Sequence, residues 1–168
     1  MPKYTTYLDS DGDEHEFTVF IIHGRSEDWR KVERFIKDDL DYDAIVIKEV
    51  YTGDVLNKKV RRAIEASDCA VAIMSPDDRL ANGKARTRQN VILEIGECRP
   101  VFRKLHKGTG VHGVVLLKEQ SVDINEVSDL SGIEYLGYTE GFIETTFHKL
   151  RSALEDVYAA VDYSEEFK

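Results

Sequence analysis

The chain has 168 residues, of which 42% are hydrophobic, and this is enough for one compact domain with a sizeable core. It carries 23 Lys and Arg residues against 32 Asp and Glu residues, a formal net charge of -9 at pH 7. That charge argues against a general binder of nucleic acid or of anionic membranes, so any anionic ligand must meet local positive charge.

Targeting segments are not visible in the sequence. No apolar run approaches the roughly 20 residues of a membrane span, and the stretch from Met1 to Glu16 is too polar and acidic for a signal peptide. We therefore expect a cytoplasmic protein. Cys69 and Cys98 lie in apolar surroundings without a second Cys or His at metal-ligand spacing, which predicts buried reduced thiols and no metal site.

Five apolar segments predict β-strands. They are Thr18 to His23, Ala44 to Val50, Cys69 to Ser75, Val111 to Leu117 and, more weakly, Ile133 to Leu136. Amphipathic helical patterns lie between these segments and after the last one. The alternation predicts an α/β fold, with a five-stranded parallel sheet in flavodoxin-like order and helices on both faces.

We divide the chain into an N-terminal extension of residues 1–17, a domain of residues 18–161 and a polar tail of residues 162–168. In the extension, Asp11-Gly12 favours a turn, so this segment could add a hairpin strand. Ser26 is expected to cap the first helix. Pro100 is expected to bend or end the third helix near Arg99.

Ligands of such sheets bind beyond the carboxyl ends of the strands. Three predicted loops follow those ends, namely His23 to Ser26, Glu49 to Asp54, and Ser75 to Asp78. Asn90 and Glu94 are four residues apart in a helical pattern, so their side chains lie on one face. We expect Glu94 to share one rim with the three loops, and we take it as the candidate catalytic residue.

Two short motifs are rejected. Gly108 to Gly113 matches the dinucleotide pattern G-x-G-x-x-G, but it follows a helix and precedes a strand, which is the reverse of the order that places pyrophosphate at a helix N-terminus. Asp9, Asp11 and Asp13 suggest a calcium loop, but Glu14 occupies the glycine position. An acidic turn is the better interpretation.

Four blocks of sequence, in this order, carry a family resemblance. They are Val19-Phe20-Ile21-Ile22-His23-Gly24-Arg25, Ser75-Pro76-Asp77-Asp78, Arg86-Thr87-Arg88-Gln89-Asn90-Val91-Ile92-Leu93-Glu94-Ile95-Gly96 and Asp129-Leu130-Ser131-Gly132-Ile133-Glu134-Tyr135. The chain resembles bacterial TIR-like proteins described as predicted nucleotide-binding effectors of cyclic-nucleotide-triggered antiphage systems. The resemblance covers roughly residues 18–161. The chain departs from the family pattern at Glu97-Cys98-Arg99-Pro100, where such proteins commonly continue with an aromatic and apolar stretch.

The resemblance implies a TIR fold and NAD⁺ glycohydrolase activity, with Glu94 as the catalytic residue. NAD⁺ would be the substrate, with no separate cofactor and no metal. The residues expected to contact it are His23, Gly24, Arg25, Ser26, Asp77, Asp78, Arg86, Arg88 and Asn90. The products would be nicotinamide and ADP-ribose or a cyclised relative.

Positive charge is concentrated between residues 79 and 88, where Arg79, Lys84, Arg86 and Arg88 could hold the pyrophosphate. Arg25 could add a bidentate phosphate contact. The alternative is that Arg86, Arg88 and Gln89 brace the preceding loop, since arginines near a helix start often pair with carboxylates such as Asp77 or Asp78.

Two aromatic side chains near the first strand end also have alternative roles. His23 is either a ligand contact or a hydrogen-bonded rim residue. Trp29 could stack on a base, but it shares a helical face with Val32 and Ile36, which favours a place in the core.

A single carboxylate suits the implied chemistry. Nicotinamide is cationic in NAD⁺ and departs neutral, so cleavage needs no proton from a general acid. Ordinary glycosidases need a second carboxyl group because their leaving oxygen must be protonated. An ionised Glu94 would orient ribose hydroxyls and stabilise the oxocarbenium-like charge.

Self-association is expected, because TIR-type enzymes as a class often complete the pocket from a neighbouring copy. The rival hypothesis is a non-catalytic module that binds a nucleotide or assembles through TIR-like surfaces. No cyclic-nucleotide sensor is visible, since only about 20 residues remain at each end, too few for a second core. Either the chain is a fragment of a longer effector, or its trigger is another protein or a ligand of the same domain.

Overall fold

A computed structural model describes residues 3–47, 54–123 and 134–164, with the side chains of residues 54–57 excepted. The strands are β1 (Thr6–Leu8), β2 (Glu14–Glu16), β3 (Thr18–Ile22), β4 (Asp43–Val46), β5 (Cys69–Met74), β6 (Asp78–Arg79), β7 (Ala85–Arg86), β8 (Val114–Glu119) and β9 (Tyr135–Tyr138). The helices are α1 (Asp28–Arg34), α2 (Asp54–Glu65), α3 (Gln89–Leu105) and α4 (Phe147–Val161). A π-helical segment, Phe35–Asp39, continues α1, and a 3₁₀ turn, Ile143–Thr146, leads into α4.

The central sheet has five parallel strands in the order β4-β3-β5-β8-β9. This is the predicted flavodoxin-like order, so the fold prediction is confirmed. Val19 on β3 lies between Ala44 on β4 and Cys69 on β5. Every residue of β3 and β5 is buried, because helices cover both faces of the sheet. A continuous apolar run is the sequence pattern of such a strand.

Alternate residues of β3 supply two separate core layers. Val19 and Ile21 pack in a cluster with residues of α1 and α4, such as Val32 and Leu154. Phe20 and Ile22 pack in the second cluster with residues of α2 and α3. This period-two division between faces follows from strand geometry. It places α3, which carries the candidate catalytic residue, on the same face as α2.

Two predicted boundaries differ from the structure. α3 continues through Pro100 to Leu105, so the expectation that Pro100 could end the helix was wrong. Cys98 and Phe102 are buried on either side of the proline, and their packing outweighs one lost backbone hydrogen bond. β8 begins at Val114 instead of Val111, because Gly113 has a φ of 79° and still belongs to the preceding loop.

The N-terminal hairpin exists, but it adds no strand to the main sheet. β1 and β2 pair antiparallel in a sheet of their own. Asp9 closes its turn by accepting hydrogen bonds from the N–H groups of Asp11 and Asp13, each 2.9 Å long. This confirms an acidic turn. The Tyr7 hydroxyl donates to Asp68 at 2.5 Å and fastens the hairpin to the domain.

Two further predictions can be compared with the described residues. Cys69 and Cys98 are free, buried thiols, as predicted. No helix in the described ranges has the length and apolar character needed to cross a bilayer.

Candidate functional site

The loops that follow β3 and β5 meet at the side chain of Asp77. Its Oδ1 accepts hydrogen bonds from the Ser75 hydroxyl (2.7 Å) and from the Arg25 N–H (3.2 Å). Its Oδ2 accepts from the Arg88 N–H (2.9 Å) and from the Thr87 hydroxyl (3.3 Å). Four donors on one carboxylate join both strand-end loops to the start of α3. Contact between Asp77 and substrate, expected from the sequence, stays a prediction.

Gly24 is required by the closeness of these two loops. A Cβ built on Gly24 would lie 2.2 Å from Asp77 Oδ2 and 2.9 Å from its Cγ. An added Cβ would displace the Asp77 carboxylate from its four donors, so glycine is favoured here by the close approach of backbone to a carboxylate.

Glu94 projects from α3 at the border between its buried face and solvent. Burial raises the pKa of its carboxyl group from 4.5 to about 7, a hydrogen bond with the Asn90 side chain lowers it, and the nearby Glu97 carboxylate raises it. The bond to Asn90 confirms that the two side chains share one helical face. Cys98, one turn further on, is fully buried, so an apolar surface flanks the carboxylate. Both ionisation states of Glu94 are therefore populated near neutral pH.

A cleft of about 260 Å³ opens at the strand ends beside Asp77. Its lining residues are Arg25, Ser26, Asp28, Ser75, Pro76, Asp77, Tyr138 and Glu140. It brings together Arg25, Ser26 and Asp77, which the sequence singled out. Tyr138 and Glu140 were missed. The available signal was their position at and just beyond the end of β9, the strand with the weakest sequence pattern.

Comparison with known protein families identifies the family of this chain. A family model described as "CAP12/Pycsar effector protein, TIR domain" matches residues 18–140. The chain belongs to this family of bacterial TIR-like antiphage effectors. The matched range holds the cleft and Glu94.

Other comparisons add little to the TIR assignment. Among solved structures, the TIR domain is similar to the IL-17 receptor B SEFIR domain, with 14% sequence identity and a TM-score of 0.41. That match covers 84% of this chain and 96% of the other, and it concerns the fold alone. No curated protein matches the sequence.

His23 and Trp29 pack together beneath the first loop of the TIR domain. The ring nitrogens of His23 lie 2.9 Å from the Gly24 carbonyl oxygen and 3.1 Å from that of Ile47. Its ring stacks on Trp29, with centroids 5.3 Å apart. These contacts favour a hydrogen-bonded rim residue over a ligand contact. Trp29 is only 6% exposed, so its predicted place in the core is confirmed.

Two of the four cations between residues 79 and 88 are engaged by carboxylates. Arg79 donates to Glu140 at 2.8 Å and to the Ser121 hydroxyl at 2.9 Å. Lys84 pairs with Asp123 at 3.0 Å. β6 and β7, an unpredicted hairpin, present this segment. Arg79 and Lys84 thus brace the loops around the cleft, and they are poorly placed to serve as a pyrophosphate trap.

The remaining basic residues have different surroundings. Arg25 lies 3.7 Å from Asp78, and both side chains are more than half exposed. Arg86 on β7 lies opposite Asp78 in the hairpin register, and Arg88 reaches Asp77 through its backbone N–H. The Arg88 backbone thus braces the loop, whereas pairing of the Arg86 and Arg88 side chains with Asp77 or Asp78 stays a prediction. Phosphate contacts by Arg25, Arg86 and Arg88 stay predictions.

Ser26 lies close to its predicted position at the start of α1. Its Oγ accepts a hydrogen bond from the Asp28 N–H at 3.2 Å. The helical residues begin at Asp28, so the residue at the cap position is Glu27, one later than predicted. Ser26 still satisfies one of the free amides of the first turn.

A larger groove lies away from these residues, between α3, β8, β9 and α4. Its volume is about 1070 Å³. Arg99, Arg103, Glu134, Tyr135 and Asp156 are among its lining residues, and none of the predicted site residues is. Residues 49–53 of the loop predicted from Glu49 to Asp54 lie outside the described residues. Residues 129–133 of the last sequence block also lie outside them.

Proposed function

We propose that this TIR effector domain is an NAD⁺ glycohydrolase with Glu94 as its catalytic carboxylate. The observation that carries the proposal is the half-buried Glu94, one turn after Asn90, on a helix whose first residues are bonded through Asp77 to both strand-end loops. Membership of an antiphage TIR effector family supports the substrate class, since depletion of NAD⁺ would disable an infected cell.

The chemistry requires one bond to break and one to form. The C–N bond between ribose and the nicotinamide ring breaks, and its electron pair leaves with neutral nicotinamide. Ionised Glu94 faces the positive charge that develops on the ribose and stabilises it. Water then attacks the anomeric carbon and loses a proton, which gives ADP-ribose; attack by a group of the same molecule would give a cyclised product.

NAD⁺ is the substrate in this proposal, and no separate cofactor is required. Arg25, Arg86 and Arg88 are the cations assigned to its pyrophosphate, and His23, Gly24, Ser26, Asp77 and Asp78 form or support the rim. The cytoplasm is the compartment in which such an enzyme would meet NAD⁺. Activity is expected to depend on self-association, because the pocket of TIR-type enzymes is often completed by a second copy.

Release of nicotinamide from NAD⁺ by concentrated protein tests the proposal. Glu94→Gln keeps the size of the side chain and removes its charge, and we expect turnover to fall by at least about 100-fold, as on loss of a main electrostatic stabiliser. Glu97→Gln is the matched control, since it removes the same charge from an exposed position of the same helix, and turnover is compared at pH 9, where Glu94 is ionised with or without the Glu97 charge. Equal turnover by Glu94→Gln and the parent protein would exclude Glu94 as the catalyst.

The competing proposal is a module that signals by self-assembly without catalysis. Three apolar side chains on α3 favour it, since Leu93, Val101 and Leu105 are 59%, 45% and 54% exposed. Val101 and Leu105 are four residues apart and so lie on one face of the helix, and neighbouring exposed apolar side chains of this kind can form a contact surface. The two proposals are separated by the turnover assay at several protein concentrations: a pure assembly module releases no nicotinamide at any of them.

A further inference from the structure

We propose that the 260 Å³ cleft is a subsite for a nucleoside ribose, with the Tyr138 hydroxyl as the group that recognises a ribose oxygen. The inference rests on the proposed function, which defines the part of the substrate that the cleft binds. Glu94 faces the nicotinamide ribose, and the cleft binds the ribose at the other end of the dinucleotide.

Tyr138 is the first observation that points to a ligand. Its side chain lines the cleft and is only 4% exposed. Among the described residues, its hydroxyl group is buried without a hydrogen-bond partner. An unpaired buried hydroxyl is costly, and the great majority of such groups in proteins are satisfied. A ligand oxygen in the cleft would supply the missing partner.

The charges around the cleft select the chemistry of that ligand. Burial raises the pKa of Tyr138 far above its ordinary value of 10, and the carboxylates of Asp28, Glu119, Asp77 and Glu140 raise it further. Tyr138 therefore stays protonated, in a negative local field. Arg25 also lines the cleft, but its guanidinium pairs with Asp78 at 3.7 Å, and the carboxylates of Asp28, Asp77 and Glu140 outnumber it. A neutral group that offers O–H donors to the carboxylates is therefore accepted more readily inside the cleft than a phosphate.

A ribose matches the hydrogen-bonding groups that line the cleft better than an amine or a metal ion does. The Asp28 and Glu140 carboxylates accept hydrogen bonds, whereas the Tyr138 hydroxyl also donates one. A sugar hydroxyl satisfies both needs, since it donates and accepts, but an amine or a cation leaves the tyrosine proton unpaired. No group of three metal-ligating side chains occurs within the described residues. Asp77 is a weaker candidate for this contact than Asp28 or Glu140, because its oxygens already accept four protein hydrogen bonds.

The helix α3 connects the cleft to Glu94. Asp77 lines the cleft and binds the Arg88 N–H at the start of the helix. Glu94 lies six residues further on, which is about 9 Å along a helix axis. In this arrangement the phosphates lie between the two riboses, over the rim that carries Arg25 and Arg88.

The test uses direct binding, so that it does not depend on turnover. The full chain carrying Glu94→Gln is titrated by NMR with adenosine and with the dideoxy analogue that lacks both ribose hydroxyls. We expect adenosine to bind more tightly than the analogue. Adding Tyr138→Phe should weaken adenosine binding about fivefold, the worth of one net hydrogen bond, and should leave the analogue unaffected. Tyr42→Phe is the matched control, since Tyr42 is equally buried but packs against Phe17 and Tyr158.

Folding of the variant is checked by its melting temperature, which we expect to be unchanged or raised, because Phe removes a hydroxyl that has no protein partner. Equal adenosine affinity with and without Tyr138→Phe, equal loss for both ligands, or no adenosine binding at all would overturn the subsite. If the hydroxyl-dependent binding is found but the parent protein releases no nicotinamide, the proposed reaction fails and the ribose subsite stands. If nicotinamide is released but Tyr138→Phe changes no affinity, only the subsite fails.

Discussion

The backbone of Gly24 touches the carboxylate of Asp77, across 53 positions of the chain. A methyl group on Gly24 would meet Oδ2 at 2.2 Å and Cγ at 2.9 Å. The same carboxylate binds the backbone N–H groups of Arg25 and Arg88. The pair therefore sets how the loop after β3 is positioned relative to the helix that carries Glu94.

Gly24→Ala should force these two loops apart. We expect a loss of about 1–3 kcal/mol in the free energy of unfolding, as for an overpacked site, and a matching loss of nicotinamide release. Denaturant unfolding measures the first effect. Gly96→Ala is the control, because no heavy atom lies within 4 Å of its added Cβ and Ala is the better helix former by roughly 0.5–1 kcal/mol. Equal stability of Gly24→Ala and the parent would contradict the close contact.

Asp77→Ala should be much more damaging than Asp78→Ala. Removing Asp77 leaves four donors without their acceptor, and we expect a loss of about 2 kcal/mol or more. Asp78 forms an exposed ion pair with Arg25 at 3.7 Å, and loss of such a pair should cost less than about 1 kcal/mol. Thermal melts of the two variants measured side by side provide the check, and similar melting temperatures would refute the positioning role of Asp77.

The rate of NAD⁺ cleavage should rise as the pH increases through about 7, because the catalytic form of Glu94 is ionised and burial raises its pKa to about 7. A pH profile of kcat/KM between pH 5 and 9 measures this. The predicted limb is a single ionisation on the acidic side. A rate that is already maximal at pH 5 would contradict either the raised pKa or the need for a charged carboxylate.

Substitution of two neighbours of Glu94 should move the midpoint of the acidic limb of the pH profile in opposite directions. The Asn90 hydrogen bond lowers the pKa of Glu94 and the Glu97 carboxylate raises it. Asn90→Ala should therefore shift the midpoint to higher pH, and Glu97→Gln to lower pH. A profile that stays in place in both variants would show that the limb belongs to a different group.

Glu94 should also make the protein less stable above neutral pH. Its pKa is raised in the folded state, so between pH 4.5 and about 7 the folded chain holds a proton that the unfolded chain has lost. The free energy of unfolding then falls across this window and levels off above it, by at most about 3 kcal/mol. Glu94→Gln removes the effect. The urea midpoint of this variant should therefore exceed that of the parent protein by more at pH 8 than at pH 5. An equal difference at both pH values would argue against this linkage.

Much of the fold could be predicted from local patterns. The residues Val19 to Ile22 of β3 and all residues of β5 are apolar, which is typical of strands covered on both faces. The helical periodicity between the strands indicates a parallel sheet. The hairpin of β6 and β7 could not be predicted, because its strands have two residues each and carry no periodicity. The passage of α3 through Pro100 depends on the packing of Cys98 and Phe102, which outweighs the local preference of proline.

The sequence by itself determined the α/β architecture, the placement of Asn90 and Glu94 on one helical face, and the loops that follow β3 and β5, because each follows from the period of a strand or helix. Only the tertiary structure decided that Asp77 joins two loops to α3, that Arg79 and Lys84 are held by Glu140 and Asp123, and that Tyr138 lines the cleft. These contacts join residues far apart in the chain, and a hydrogen bond or ion pair between such residues leaves no regular pattern in the sequence.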